Sequence, residues 1–289
     1  KQKRRRMLNG VESALSRAAG FPPARPVERT VTPVAKELQP LPWWLALGAA
    51  FALLGALEAR AEIDYGACAA QARSDPDKAY EEALAWQESG GGEAARHCAA
   101  LALFGLARFA DAAQALEALA QDMTEAPPTV RAEVLAQAGQ ARLAAGQPER
   151  AEALLTAAHS LYPASVEILV DRGQARMLQY RDWEAIDDFN LALEREPDHV
   201  DALIFRATLY RRLEAPELAV DDLERALEAD PSNVFALLER GVLRGLARDI
   251  EGARADWTRV IESAPESPAA DSARGYLNEL ESGTAQPAS

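Results

Sequence analysis

Apolar and polar positions recur along this chain with a period of about 34 residues, the mark of a repeat architecture. The stretches that repeat are rich in Ala, Leu and Glu and almost free of runs of Val, Ile or Thr. That composition favours helix and leaves little material for strands, so the pattern predicts an all-α protein. Segments 60–92, 93–126, 132–165, 166–199, 200–233 and 234–267 fall into register. At repeat position 20 every segment carries alanine: Ala79, Ala112, Ala151, Ala185, Ala219 and Ala253. At position 8 every segment carries a small residue: Ala67, Ala100, Gly139, Gly173, Ala207 and Gly241. Small side chains at two fixed positions are what a helical hairpin needs where its axes approach most closely.

Other positions repeat in the same register. Position 4 is Leu135, Leu169, Leu203 and Leu237, and position 24 is Leu116, Leu155, Phe189, Leu223 and Trp257. Position 32 is Pro163, Pro197, Pro231 and Pro265, each ending a second helix by removing a donor and crowding the preceding turn. Within the hairpins, Pro76, Pro148 and Pro216 stand where proline is tolerated, at the first turn of the second helix.

These features together resemble the tetratricopeptide repeat: a helix-turn-helix unit with a small residue at position 8, alanine at 20, a bulky apolar residue at 24 and proline at 32. The resemblance is specific over 132–267 and weaker over 60–126, where proline is missing at position 32; an aromatic residue at position 4 is missing throughout. It implies an α-solenoid, a right-handed superhelix of about six hairpins. Segment 60–126 would hold two degenerate hairpins, 127–131 a proline-containing linker, 132–267 four repeats, 268–282 a capping helix and 283–289 a tail.

Arg172, Arg206 and Arg240 share position 7, and Asp188, Asp222 and Asp256 share position 23. The 132–165 segment has Ala138 and Leu154 there, so the charges appear or vanish together. They are expected to pair across each hairpin rather than to read an anionic ligand. The resemblance further implies that the first helices line a concave groove through positions 2, 5, 9, 12 and 13. Among residues so placed, the partner-binding candidates are Gln140, Gln174, Met177, Ile204, Thr208, Arg211, Arg212, Phe235, Leu238 and Val242. Arg211 and Arg212 would be able to meet an acidic group. The lysine and asparagine set with which some relatives hold a C-terminal carboxylate is missing.

The chain carries a net charge of −14, unevenly spread. Residues 1–40 hold nine basic and three acidic groups, +6, which leaves −20 on the rest. An acidic body of that size argues against nucleic acid as a partner. Arg outnumbers Lys 27 to 4, as in GC-rich bacterial genomes.

Residues 41–57, beginning Leu41-Pro42-Trp43-Trp44, form an uncharged apolar run preceded by Lys1, Lys3, Arg4, Arg5 and Arg6. As a helix the run would span about 26 Å, near the bilayer's hydrocarbon thickness. The basic flank would keep the N-terminus cytoplasmic and send the body across. Membrane anchorage through 41–57 and a signal cleaved after Ala59-Arg60-Ala61 both remain open, with lipid attachment at Cys68 or a buried core helix as lesser options.

Cys68 and Cys98, the only cysteines, would both lie on the exported side. An oxidising periplasm favours a disulfide between them, with two buried thiols as the alternative. No C-x-x-C motif occurs, and His97, His159 and His199 sit in separate repeats without base–nucleophile or ligand spacing. Gly90-Gly91-Gly92 follows helical sequence and reads as a helix stop. The sequence therefore predicts a non-enzymatic scaffold without metal or cofactor, binding a protein or peptide in the bacterial periplasm. A self-assembling homo-oligomer is the alternative.

Overall fold

The computed structural model describes residues 64–282. The basic segment 1–40, the apolar run 41–57, the Ala59-Arg60-Ala61 site and the tail 283–289 lie outside the described residues. Thirteen helices and no strand occur among those described. In chain order they are α1 (Tyr65–Ser74), α2 (Pro76–Glu88), α3 (Gly92–Gly105), α4 (Phe109–Asp122), α5 (Pro128–Ala144), α6 (Pro148–Leu161) and α7 (Val166–Leu178). Then come α8 (Asp182–Arg195), α9 (Val200–Arg212), α10 (Pro216–Ala229), α11 (Val234–Leu246), α12 (Ile250–Ser263) and α13 (Pro268–Glu281). They pair as six hairpins, with α13 packed on the last one as a cap. None of these helices is long and apolar enough to cross a membrane.

The hairpins close where the side chains are smallest. The alanines of position 20 are all fully buried. A Cβ added at Gly173 would lie 2.5 Å from the Phe189 ring, and one at Gly139 would lie 2.6 Å from Leu155. Gly241 meets Trp257 in the same way. Position 8 therefore faces position 24, and the missing side chain on one helix makes room for the bulky one on the other. The first hairpin departs from this register: Ala67 is exposed, while Cys68 and Ala72 are buried. Its α1 is only ten residues long, and Asp75 serves at once as its C-cap and as the side-chain cap of α2.

Each turn from first to second helix in the later hairpins places repeat position 15 in the left-handed region: Ala107, Gly146, Tyr180, Glu214 and Arg248 have φ between 57° and 69°. The second helices α6, α8, α10 and α12 stop two residues before Pro163, Pro197, Pro231 and Pro265. The carbonyls of those prolines are then taken by arginines further along the chain: Arg195 on Pro163 (2.6 Å), Arg225 on Pro197, Arg259 on Pro231 (2.8 Å) and Arg274 on Pro265 (2.6 Å). The 127–131 linker does not form as expected. Pro128 opens α5, because a proline at the first helical position costs no hydrogen bond, and only 123–127 separate it from α4.

First helices touch first helices of adjoining hairpins (α1 with α3, α5 with α7, α7 with α9, α9 with α11), whereas second helices do not approach one another to that extent. This asymmetry curves the array and puts the first helices on its inner side. The core is continuous from α7 to α13, where Leu169, Phe189, Leu203, Leu223, Leu237 and Trp257 form one cluster. Around α1 to α4 it breaks into small alanine-rich patches. There a disulfide joins Cys68 of α1 to Cys98 of α3, with Cα atoms 6.1 Å apart and both residues buried.

Two outcomes follow from this packing. Ala185→Leu would force a branched side chain into a fully closed contact, and chemical denaturation should show a loss of about 1–3 kcal/mol. A neutral result would mean that the register is wrong. Reduction of the bridge reopens a 30-residue span and should cost roughly 3.5 kcal/mol on the chain-entropy estimate, with hydrogen exchange accelerating first in α1 and α2.

Candidate functional site

Charged side chains on the first helices are largely committed to holding the solenoid together. Arg172 grips Asp188 with two bonds (2.6 and 3.0 Å), Arg206 grips Asp222 (2.6 and 2.8 Å) and Arg240 grips Asp256 (2.7 and 2.9 Å). The three aspartates are 1% exposed, so each planar pair ties a first helix to its second helix inside the core. Arg176 and Arg244, one turn further on, add a second donor to Asp188 and Asp256 (2.8 Å each). Arg176 and Arg142 also reach back to the preceding hairpin, to Glu152 (2.9 Å) and Glu117 (2.7 Å).

Arg211 and Arg212 are committed in the same way. Arg211 is buried and pairs with Glu239 of α11, and Arg212 pairs with Asp182 of α8 and lies 5.5 Å from the Tyr180 ring. Sequence spacing places both on the groove face; it does not reveal acids 28 and 30 residues away in the chain. Neither arginine is offered to an acidic ligand.

Burial alters the rest of the expected groove. Seven of its ten candidates are buried: Gln174, Met177, Ile204, Thr208, Arg211, Leu238 and Val242. Met177, Ile204, Leu238 and Val242 belong to the main core, with Phe235 packed against it, because neighbouring first helices close over the apolar positions. Thr208 donates to the Ile204 carbonyl of its own helix (3.0 Å). Only Gln140 is exposed, and it donates to Asp171 of the next first helix (2.9 Å).

Asp171 is not among the residues that the groove positions single out. It sits at position 6 of α7, one turn from Gln174, and has no ion-pair partner among the described residues. Glu167 of α7 and Asp201 of α9 lie close enough to act on it. The inner face between α5, α7 and α9 is thus a polar niche of Gln140, Asp171 and Gln174, flanked by the exposed acids Glu133, Glu167 and Asp201.

The histidines serve local structure. His97 Nδ1 meets the Tyr65 hydroxyl (2.6 Å) and its Nε2 meets Gln137 (2.5 Å), which links α1, α3 and α5. The His199 ring caps α9, and His159 Nδ1 is buried without a partner. No group of His, Cys, Asp and Glu with metal-holding geometry occurs among the described residues.

Comparison with known proteins places this geometry. A family model described as tetratricopeptide repeat matches residues 200–233, the α9–α10 hairpin in the register derived from the sequence. That hairpin is a tetratricopeptide repeat, and the hairpins around it share its helix-turn-helix geometry. No curated protein matches the chain significantly. A thermophilic tetratricopeptide repeat protein of Thermus thermophilus superposes with a TM-score of 0.55 at 18% identity, over 65% of this chain and 99% of that one. A tetratricopeptide repeat protein from Parabacteroides merdae gives 0.49 at 19% identity, over 74% of this chain and 77% of that one. At such identities the likeness is one of fold alone.

Within this tetratricopeptide array Asp171 is the anomaly. Desolvation lifts its carboxyl to about 7 against the single bond from Gln140, and Asp201 and Glu167 push the same way. Its folded value lies above its unfolded one, so the native state holds the extra proton between about pH 4 and pH 7, and stability falls as pH rises through that window. Asp171→Asn should therefore melt several degrees higher than the parent at pH 8 and no higher near pH 4.

Proposed function

We propose that this protein is a non-enzymatic scaffold that binds a peptide or protein segment along the inner face of its first helices, on the periplasmic side of a bacterial envelope. The tetratricopeptide fold is consistent with a protein-binding role, and the observation that carries the reading is the niche at α5, α7 and α9. Packing uses the arginines and most apolar positions of the first helices, yet leaves Asp171 half-buried with one hydrogen bond from Gln140 and no cation, and its carboxyl raised by desolvation. Groups perturbed in this way gather where a protein binds something. Compartment is inferred from the Cys68–Cys98 bridge, since disulfides persist in oxidising surroundings. Residues 41–57 would serve either as the anchor in the inner membrane or as the core of a removed signal.

The alternative is self-assembly, and one observation favours it. Tyr180 (72% exposed) and Trp183 (66%) stand in the solvent at the α7–α8 turn, with Leu218 and Ile250 exposed at the start of the next two second helices. A row of this kind along the turn edge would suit a second copy of the chain.

Photocrosslinking in intact cells distinguishes the two. A benzophenone side chain at Gln140 should label one foreign protein in the envelope fraction, and the same group at the exposed Glu228 of α10 should not. Equal labelling from both sites, or recovery from the cytosol, would overturn the reading. Dimers crosslinked only through Trp183 would put self-assembly in its place.

A further inference from the structure

We infer that the niche on the inner face of α5, α7 and α9 is a receptor for a lysine side chain of a bound segment, with Asp171 as counter-ion and Gln174 as a second acceptor. This rests on the inner-face reading above and adds the chemistry of the partner.

Three observations lead to it. The first is charge. From Arg142 onward every arginine of the first helices α5, α7, α9 and α11 is held by a carboxylate of the chain: Arg142, Arg172, Arg176, Arg206, Arg211, Arg212, Arg240 and Arg244. The acids of the niche are not consumed in return. Glu133, Glu167 and Asp201 are exposed and Asp171 has no cation, so the inner face presents uncompensated negative charge.

The second is Gln174. It is only 8% exposed and makes no side-chain hydrogen bond among the described residues. Its stem is buried while its amide end makes no bond within the protein and stays open at the surface of the niche, free to meet a ligand. It lies three residues after Asp171, on the same helix face, and shares repeat position 9 with Gln140 and Thr208 on either side.

The third is the kind of atoms offered. Gln140 spends its amide nitrogen on Asp171, and the Asp171 carboxylate with the Gln174 amide oxygen one turn on makes a set of acceptors beside it. An ammonium carries three donors and no acceptor, so it satisfies such a set where a carboxylate or phosphate would be repelled. Its arrival would also hold Asp171 ionised, so binding releases a proton at neutral pH.

The test uses the whole chain and a short end-blocked peptide of alternating lysine and serine, with a norleucine-and-serine counterpart, followed by fluorescence anisotropy. The lysine peptide should bind and the norleucine peptide should not. Asp171→Asn should weaken binding by about tenfold or more, the loss of one charge-assisted contact, while remaining folded by thermal melt. Glu228→Gln removes the same charge from the outer surface and should leave affinity unchanged. Lowering the pH from about 8 to 6 should weaken the parent protein and not Asp171→Asn; Glu133, Glu167 and Asp201 are the other acids facing the niche and His199 lies beside Glu167, and all four are the same in both proteins. Equal weakening by Asp171→Asn and Glu228→Gln would mean that the acidic body attracts any polycation, and the inference falls. Failure of the lysine peptide to bind also overturns it. If Gln140 still crosslinks a foreign protein, the inner-face reading survives that failure.

Discussion

The close approach of two helices within each hairpin is the constraint on which the rest of this structure depends. Glycine at positions 139, 173 and 241 leaves room for Leu155, Phe189 and Trp257, and fully buried alanine at position 20 does the same from the second helix. Once the axes are this near, an arginine at position 7 spans to an aspartate at position 23, and the pair can be buried because both partners are satisfied in a planar two-bond contact. Packing and electrostatics are thus not separate sources of order here, because the small residues set the distance that makes the ion pairs reachable.

The array is not uniform along its length. From α7 to α13 large side chains from successive hairpins merge into one core, and the ion-pair ladder and the arginine–proline carbonyl bonds run through the same region. From α1 to α4 the core is small and alanine-rich, and the stabilising duty passes to other devices: the disulfide and the Tyr65–His97–Gln137 chain of hydrogen bonds. In a linear array each repeat is supported by its neighbours alone, so a weak end needs its own fastening.

The features legible in the sequence are those that depend on spacing within one repeat. Alanine at 20, the bulky residue at 24, proline at 32 and the Arg172–Asp188 type of pair all recur at fixed offsets, and a hairpin brings fixed offsets together. The left-handed turn at position 15 is not legible, because Tyr180, Glu214 and Arg248 adopt it as Gly146 does and only glycine advertises it. Contacts between repeats are also hidden. Arg211 meets Glu239, Arg212 meets Asp182 and Gln140 meets Asp171 only through the stacking of hairpins, and none of these pairs recurs along the chain. The groove implied by the resemblance is therefore too wide and too apolar, and it omits its most unusual member, Asp171. Ala67 departs from its expected place for a related reason: α1 is short and turns without the left-handed residue, so its buried face is offset by one residue.

The bridge between Cys68 and Cys98 has a mechanical meaning besides its thermodynamic one. A pull on the chain at Asp64 enters α1 and, four residues later, reaches a covalent bond into α3. Tension then continues from Cys98, and residues 69–97, which include all of α2, are shielded from it. Most of the least densely packed hairpin therefore carries no load.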